Sequence, residues 1–435
     1  MAFIIITVAA LLGLYMAWTI GANDVANSMA GAVGSKSLTI KHAIIAAGIC
    51  EFAGAVLMGQ HVTDTIRKGI VEPAAITSIP GLTGHEPVAI LVIGMASAIL
   101  AAACWLHLAT WLGMPVSTTH SIVGAIAGFG IIAAGFHCVH WGKIGEIVIS
   151  WFISPIAGGI LAFIFFRLIS RFILGSTQPV HAAIRMVPVI VFFVTFVLIM
   201  AVFYKGMQHI VAAKSLDWLT GRLTFLSAIG LGLISAIATR LILLRYPAAG
   251  KRLPLSDQFT LVEMIFVPLV IITSCTVAFA HGANDVANAI GPLAAIVDTI
   301  RTGTVMMKVH VPLWVLVLGG IGIVIGLSTG GARVMYTTGR KITQLTPSRA
   351  VAANIAAMST VLVCTRLKLP VSTTHTLIGA ILGIGMARGL SAVNIRVTRN
   401  IFGSWFVTVP VAAGLAIVFF LLGRVFLFQT ILNAV

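Results

Sequence analysis

The stretch AWTIGANDVANSMAGAVGSK, residues 17–36, follows an apolar N-terminus and contains the first charged residue of the chain, Asp24. A near copy, FAHGANDVANAIGPLAA, returns at residues 279–295 with a second aspartate, Asp285. An aspartate at membrane depth costs about 2.5–3.5 kcal/mol on insertion scales, so such residues are usually functional. The repetition therefore predicts that the two aspartates belong to a functional site.

The composition indicates a chain that lies in a bilayer. Of its 435 residues, 59% are hydrophobic and 9% are charged, and the mean hydropathy is +1.10. Soluble domains carry roughly 25% charged residues, so we predict an all-α polytopic membrane protein. The net charge of +16 comes from basic residues scattered between apolar runs, which suits helix anchoring. We therefore expect a lipid bilayer around the chain and no nucleic-acid partner.

Apolar runs divide the chain into about twelve candidate transmembrane segments, counted at roughly 20 residues per crossing. The breaks GMPVS and KLPVS between neighbouring runs are short, so these runs predict discontinuous helices or hairpins. Residues 1–20 lack a basic leader and a clear cleavage site, and we interpret them as a retained first span. The candidate segments are 2–20, 42–60, 86–112, 117–136, 144–166, 187–204, 224–244, 262–281, 312–329, 349–367, 371–388 and 401–423.

Two motifs recur in the same order along the chain. GANDVAN occurs at 21–27 and 282–288, and MPVSTTHSIVGAIAGFG at 114–130 matches LPVSTTHTLIGAILGIG at 369–385. An odd number of predicted crossings separates the two GANDVAN copies, so the copies face opposite sides of the membrane. Such inverted-topology repeats are typical of secondary transporters, with the site at the repeat interface. The predicted parts are a first repeat at 1–168, linking segments with a basic cytoplasmic loop at 169–259, and a second repeat at 260–435.

The distribution of lysines and arginines predicts the orientation of the chain. Loops on the side opposite the N-terminus carry more of the 27 basic residues, and the stretch RYPAAGKRLPLSDQ at 245–258 is the most basic. By the positive-inside rule, these loops are cytoplasmic. We therefore expect both termini to lie outside the cytoplasm and the protein to reside in the plasma membrane.

The PVSTTH copies have the composition of a helix start that binds an anion. Pro115 and Pro370 favour the first helical turn, and serine or threonine favours the cap position. The first amides of a helix lack intrahelical acceptors and carry the positive end of the helix dipole. The alternative interpretation is that these residues merely cap two helices. The anion-binding interpretation selects Ser117, Thr118, Thr119, Ser372, Thr373 and Thr374.

The GANDVAN copies favour a cation. Carboxylate, amide and exposed carbonyl oxygens are ligands of a hard cation such as sodium. Gly21 and Gly282 allow the backbone to break or to approach a ligand closely. An aspartate can instead carry a proton, or cap a turn together with its asparagines. The candidate ligands of a coupling cation are Asp24, Asn23, Asp285, Asn284 and Glu51, with sodium at Asp24 and Asp285.

Three further residues in apolar segments leave alternatives open. Glu51 could bind a coupling ion or pair with a lysine or arginine. His120 and His375 could contact a substrate, although a histidine one turn into a helix more simply bonds to a neighbour.

The two motif types together predict coupled transport. A multiply charged oxyanion beside two aspartates is strongly repelled in a low-dielectric site, so cations or protons must accompany it. No nucleophile–base pair, metal-ligand cluster or nucleotide-binding loop stands out, and the five cysteines show no paired spacing. We therefore expect no enzyme and no cofactor beyond the coupling ion.

These motifs closely resemble the PiT family of inorganic phosphate transporters. The resemblance rests on both GANDVAN and both PVSTTH copies, on TIRKGI at 65–70 and on LTPS at 345–348, and it covers most of the chain. It implies twelve membrane segments, inverted repeats, a homodimer, and phosphate uptake coupled to sodium or protons. It also implies that phosphate and cations are held with help from Asp24, Asn27, Asp285 and Asn288.

The resemblance bears on two more positions. Glu51 lies where the family pattern has a functionally important glutamate, whereas Asn354 stands where many members have a glutamate before the second PVSTTH. The neutral side chain leaves the ion stoichiometry open. We expect a secondary active symporter that imports inorganic phosphate with sodium. The alternatives are a proton-coupled metal–phosphate or sulfate symporter of the same fold, and an ion channel with acidic residues in its pore.

Overall fold

The computed structural model describes residues 1–59, 70–71, 73–79, 81–202, 217–245, 253–305, 311–366 and 371–434, and this part of the chain is helical. Short π-helical turns lie at Ser170–Leu174 and Thr337–Lys341, each directly after an α-helix. The helices are α1 Ala2–Gly34, α2 Ile40–Met58, α3 Pro73–Thr77, α4 Glu86–Trp111, α5 Thr118–Ala134, α6 Trp141–Ile169, α7 Pro179–Val202, α8 Asp217–Leu243, α9 Leu255–Thr302, α10 Leu313–Thr329, α11 Gly331–Tyr336, α12 Pro347–Arg366, α13 Thr373–Arg388 and α14 Ile395–Leu432.

The described helices confirm the prediction of an all-α polytopic membrane protein. Nine of them are long and apolar enough to cross a bilayer, and ten if α10 and the bent segment after it form one span. The helices after the two PVS breaks, α5 and α13, have only 17 and 16 residues, fewer than the roughly 20 that a crossing needs. They fit the predicted discontinuous helices, while the number of twelve crossings stays a prediction.

Both GANDVAN motifs lie inside long helices. The first apolar segment was expected to end at residue 20, but α1 continues through the motif to Gly34, and α9 runs for 48 residues through the second copy. Of the two alternatives for Gly21 and Gly282, the backbone break is therefore wrong, and so is the interpretation that the motif caps a turn. Once inside a helix, the motif has its amides and carbonyls bonded along the helix, so only its side chains can act.

The motif glycines instead allow helices to pack closely. A Cβ atom at Gly21 would overlap the carbonyl oxygen of Ile323 on α10, and one at Gly282 would overlap that of Glu51 on α2. Small residues at such contacts let backbones approach within the membrane. The first long helix of each predicted repeat thus packs against the second helix of the other, α1 with α10 and α9 with α2.

The two short helices, α5 and α13, pack against longer neighbouring helices. Helix α5 packs against α14 and α4, and α13 packs against α6 and α12. Most of their residues are buried, and the buried ones include those at the N-terminal ends, which lie inside the protein beside α1 and α9. This packing brings both motif types together, although the inverted orientation and the part boundaries 1–168, 169–259 and 260–435 stay predictions.

Candidate functional site

The two serines of the PVSTTH copies cap their helices. Ser117 Oγ accepts a hydrogen bond of 3.3 Å from the backbone amide of His120, and Ser372 Oγ accepts one of 3.3 Å from that of His375. Both serines have extended backbone angles, as an N-cap requires. Capping and anion binding remain compatible, because one cap leaves other first-turn amides without an intrahelical acceptor.

The threonines that follow are bonded to asparagines of the other motif. Asn27 Nδ2 donates to Thr374 Oγ1 at 2.8 Å. In the corresponding arrangement, Asn288 Nδ2 donates to Thr118 Oγ1 at 3.3 Å and to Thr119 Oγ1 at 3.2 Å. Each asparagine therefore joins the GANDVAN helix of one half to the PVSTTH helix of the other.

The two aspartates lie in the same bonded group. Asp24 Oδ1 accepts from Asn27 Nδ2 at 3.1 Å and from Thr374 Oγ1 at 3.3 Å. Asp285 Oδ2 accepts from Thr373 Oγ1 at 3.3 Å. Both carboxylates therefore lie directly beside the N-terminus of α13, and the positive end of that helix dipole would also attract a bound anion.

A histidine that the sequence interpretation did not select lies at the centre of the acids. His281 Nε2 is 2.9 Å from Asp285 Oδ2 and 3.6 Å from Asp24 Oδ2. Its Nδ1 atom is 3.3 Å from Glu51 Oε2. A signal for it existed in the sequence, because His281 directly precedes the second GANDVAN where the first copy has Ile20.

Glu51 completes this cluster of charged side chains. It is fully buried on α2, and its Oε1 atom accepts from Ser28 Oγ at 3.3 Å. The sequence left open whether Glu51 pairs with a lysine or an arginine, and its ionisable partner is His281 instead. The ion-binding alternative for Glu51 stays a prediction.

The two remaining asparagines of the motifs differ in their surroundings. Asn23 Nδ2 donates to Thr110 Oγ1 at 2.9 Å and to the Met114 carbonyl at 3.1 Å, and its Oδ1 accepts from the Val116 amide at 3.1 Å. Its side chain therefore fixes the backbone that leads into α5. Asn284 is partly exposed and lines a cavity of about 60 Å³ together with Asn27, His281 and Thr373.

The charged cluster has the donor set of a cation site. One ligand atom each from Asp24, His281 and Asp285 lies within 4.8 Å of the others, and all three residues are buried. Asp24 Oδ2 has no hydrogen-bond partner, which is costly for a buried carboxylate oxygen. A cation among these atoms would satisfy that oxygen and offset the repulsion between the carboxylates.

The histidines of the PVSTTH copies lie away from the acids and contact each other. Their rings are 4.7 Å apart, and His375 stacks on Trp405 at 3.6 Å. Trp405 Nε1 also donates to the Pro115 carbonyl at 3.2 Å. The two histidines thus contact neighbouring rings, while both ring nitrogens of His375 lack a hydrogen-bond partner among the described residues. Trp405 ties the starts of α5 and α13 to α14.

Other expected positions lie outside this group. Asn354 is buried on α12 and donates to Thr273 Oγ1 at 3.0 Å and Ser274 Oγ at 3.1 Å. It therefore holds α12 against α9 and does not contact the charged cluster. Pro370 and most of the TIRKGI stretch, with Arg67 and Lys68, lie outside the described residues.

Comparisons with known proteins agree over nearly the whole chain. A sequence profile described as the phosphate transporter family matches residues 20–416. A Pyrococcus abyssi protein, provisionally named a phosphate permease, is 46% identical over 410 residues, covering 94% of this chain and 96% of that protein. Inorganic phosphate transporter 2-1, chloroplastic, of Arabidopsis thaliana is 40% identical over 433 residues, covering 94% of this chain and 70% of that protein.

A solved structure gives the same result for the fold. The protein described as the sodium-dependent phosphate transporter matches with a TM-score of 0.83 and 39% identity, covering 97% of this chain and 100% of that chain. Buried helix starts and buried acids within a bundle of apolar helices define a multi-pass membrane transporter. The chain belongs to the phosphate transporter family, the PiT family, as its doubled motifs predict.

Proposed function

We propose that this chain is a sodium-coupled symporter that imports inorganic phosphate across the plasma membrane. The observation that carries the proposal is that Asp24, Asp285 and His281 contact one another directly beside the threonines of PVSTTH. The helix start that attracts an anion and the group of carboxylates lie side by side in one buried site. The bound anion is therefore stable only when a cation is bound as well.

The phosphate is bound by the starts of α5 and α13. Free first-turn amides and the positive end of each helix dipole favour the anion, and hydroxyl and amide groups donate to its oxygens. Donors that now bond to one another can turn to the anion when it arrives. The proposed phosphate ligands are Ser117, Thr118, Thr119, Ser372, Thr373, Thr374, Asn27 and Asn288, with Asp24 and Asp285 accepting from a protonated phosphate oxygen.

The sodium ion balances the charge of this complex. Two unit charges 4 Å apart interact by about 4 kcal/mol at an effective dielectric constant of 20, so phosphate beside Asp24 and Asp285 is unfavourable without a cation. Glu51 adds a third carboxylate 3.3 Å from His281. Asn284 lines the adjacent cavity, whereas Asn23 acts through the backbone that it holds.

The relatives support the same function. The solved structure at 39% identity is described as sodium-dependent, and the Arabidopsis relative is named an inorganic phosphate transporter. We extend the proposal to a homodimer with both termini outside the cytoplasm, as the resemblance and the basic loops predict.

Radiolabelled phosphate uptake into proteoliposomes tests the proposal. The sodium and pH gradients are imposed separately, and an inward sodium gradient alone should drive accumulation above the external phosphate concentration. If neither the sodium gradient nor the pH gradient drives accumulation, symport is contradicted. Phosphate flux that only runs down its own gradient, with no uphill uptake, would indicate a channel. Equal competition by sulfate and by unlabelled phosphate would contradict the substrate assignment.

A proton-coupled symporter is the second candidate, and one observation favours it. His281 is surrounded by three carboxylates within 3.6 Å, an arrangement that can hold a proton as readily as a metal ion. In that case the pH gradient alone should drive uptake in the same proteoliposomes. A metal–phosphate cargo would show as co-accumulation of a divalent ion with the phosphate.

A further inference from the structure

Two cysteines lie on the two helices α2 and α9, which pack against each other. Cys50 on α2 and Cys275 on α9 are both free and partly buried, and these two helices pack closely against each other. Neither residue belongs to a motif, and nothing in the proposed transport reaction uses them. Their proximity was not apparent in the sequence, since the two positions are far apart and follow no paired spacing.

The register of the two helices explains the contact. A Cβ atom at Gly54 on α2 would overlap the carbonyl oxygen of Phe279 on α9, so the backbones are very close there. Cys50 lies four residues before Gly54, and Cys275 lies four residues before Phe279. The two helices run in the same direction, because a Cβ atom at Gly59, five residues after Gly54, would meet Val286, seven residues after Phe279. Residues four apart share one face of a helix, so the cysteines form the preceding pair along the same interface. Disulfides need Cα atoms about 4.4–6.8 Å apart, which such a close crossing favours.

We propose that Cys50 and Cys275 form a reversible disulfide that holds α2 against α9 and stops transport. The oxidant is a membrane-permeant peroxide. One thiol sulfur attacks a peroxide oxygen to give a sulfenic acid and water, and the second thiol then displaces the hydroxyl as a second water. The two sulfurs lose two electrons and two protons in total, and the peroxide is reduced to two molecules of water. A dithiol reductant reverses the bond.

The position of the disulfide explains its effect on transport. Cys50 is followed directly by Glu51, whose carboxylate lies 3.3 Å from His281 on α9. The charged cluster is closed in this conformation, with Asp24, Glu51, His281 and Asp285 at most 6% exposed. An ion reaches these residues only when the surrounding helices separate, and a bond between α2 and α9 prevents their separation. This step rests on the proposed function, whereas formation of the disulfide does not.

The chain offers matched controls for the pair. Cys104 lies on α4 and Cys364 on α12, and each is a free cysteine in a membrane-spanning helix. Replacing either by serine removes one thiol from another apolar helix and leaves the α2–α9 contact unchanged.

The experiment treats the full-length protein in proteoliposomes with hydrogen peroxide and measures two quantities. Mass spectrometry of the digested protein should find one peptide pair linked through Cys50 and Cys275. Sodium-driven phosphate uptake should be largely lost and should return with dithiothreitol. The variants Cys50→Ser and Cys275→Ser should keep their uptake after peroxide, while Cys104→Ser and Cys364→Ser should lose it as the wild type does.

The outcomes separate the proposal from the proposed function. If the linked peptide pair is absent after peroxide treatment, the cysteine pair is not a disulfide site. If the pair is linked and uptake is unchanged, the bond does not restrain transport. Loss of uptake in Cys50→Ser after peroxide would place the oxidation elsewhere and overturn the proposal. Absence of sodium-driven uptake before any peroxide is a failure of the proposed function alone, because the linked peptides are still scored by mass.

Discussion

The Oδ2 atoms of Asp24 and Asp285 lie 3.6 and 2.9 Å from one shared atom, Nε2 of His281. The two aspartates are the equivalent residues of the repeated GANDVAN motif, so a sequence repeat becomes a single pair of ligands in space. The shared imidazole is unique to the second copy, because the first copy has Ile20 at that position. The site is therefore formed by two similar halves that contribute unequal chemistry.

Neutralising one aspartate should weaken sodium coupling. In Asp24→Asn, the cation loses a charged ligand, and charged hydrogen-bonding partners are worth about 1.5–3 kcal/mol, so the sodium concentration for half-maximal uptake should rise by at least about tenfold. Asp285→Asn should behave similarly. The measurement is phosphate uptake as a function of sodium concentration.

The control for these variants is Asp257→Asn, which neutralises an exposed aspartate in the first turn of α9. Its uptake should match the wild type. Unchanged sodium dependence in both Asp24→Asn and Asp285→Asn would contradict their role as coupling acids.

Replacing His281 by glutamine should alter the dependence of uptake on ions more than that on phosphate. Glutamine keeps a polar group on α9 but cannot carry the positive charge that an imidazole can supply between Asp24 and Asp285. We expect a changed sodium dependence and a flatter pH profile, with a smaller change in the phosphate KM. His137→Gln, at an exposed position, is the control and should leave both profiles unchanged. Identical profiles for His281→Gln and the wild type would remove the imidazole from the coupling mechanism.

Removing the Thr374 hydroxyl should raise the phosphate KM. Thr374→Val keeps the shape of the side chain but deletes the group that accepts from Asn27 and donates to Asp24. A net contribution of about 0.5–1.5 kcal/mol per hydrogen bond corresponds to a KM increase of roughly twofold to tenfold. Thr360→Val is the matched control, since Thr360 is also buried but bonds to the carbonyl of Ala356 on its own helix. Equal KM values in the two variants would indicate no direct role for Thr374.

Adding one methyl group at Gly282 should destabilise the fold. In Gly282→Ala, the new Cβ atom overlaps the Glu51 carbonyl oxygen on α2, and overpacking of this kind typically costs about 1–3 kcal/mol. We expect a lower melting temperature in detergent and little uptake. The control Gly414→Ala adds a methyl group into open space on α14 and should melt like the wild type. A wild-type melting temperature for Gly282→Ala would show that α2 and α9 are less tightly packed than described.

The sequence allowed the main features to be predicted. Apolar runs of membrane length gave the all-α class, because a backbone in lipid must satisfy its hydrogen bonds within helices. The PVS breaks marked α5 and α13, and Ser117 and Ser372 cap those helices as their residue types favour. The doubled motifs identified the family and the two aspartates. These features depend on neighbouring residues or on repeated motifs, so they can be recognised in the sequence alone.

Tertiary structure decided how the motifs act. Only the packing of α1 against α10 and of α9 against α2 showed that Gly21 and Gly282 serve helix contact, because a glycine alone does not distinguish a break from a close approach. The same packing placed His281 among three carboxylates and turned Asn23 towards the backbone before α5. Residue types determined that a charged site lies in the membrane. Contacts between distant helices decided which side chains form it, since those depend on three-dimensional neighbours that the order of residues does not specify.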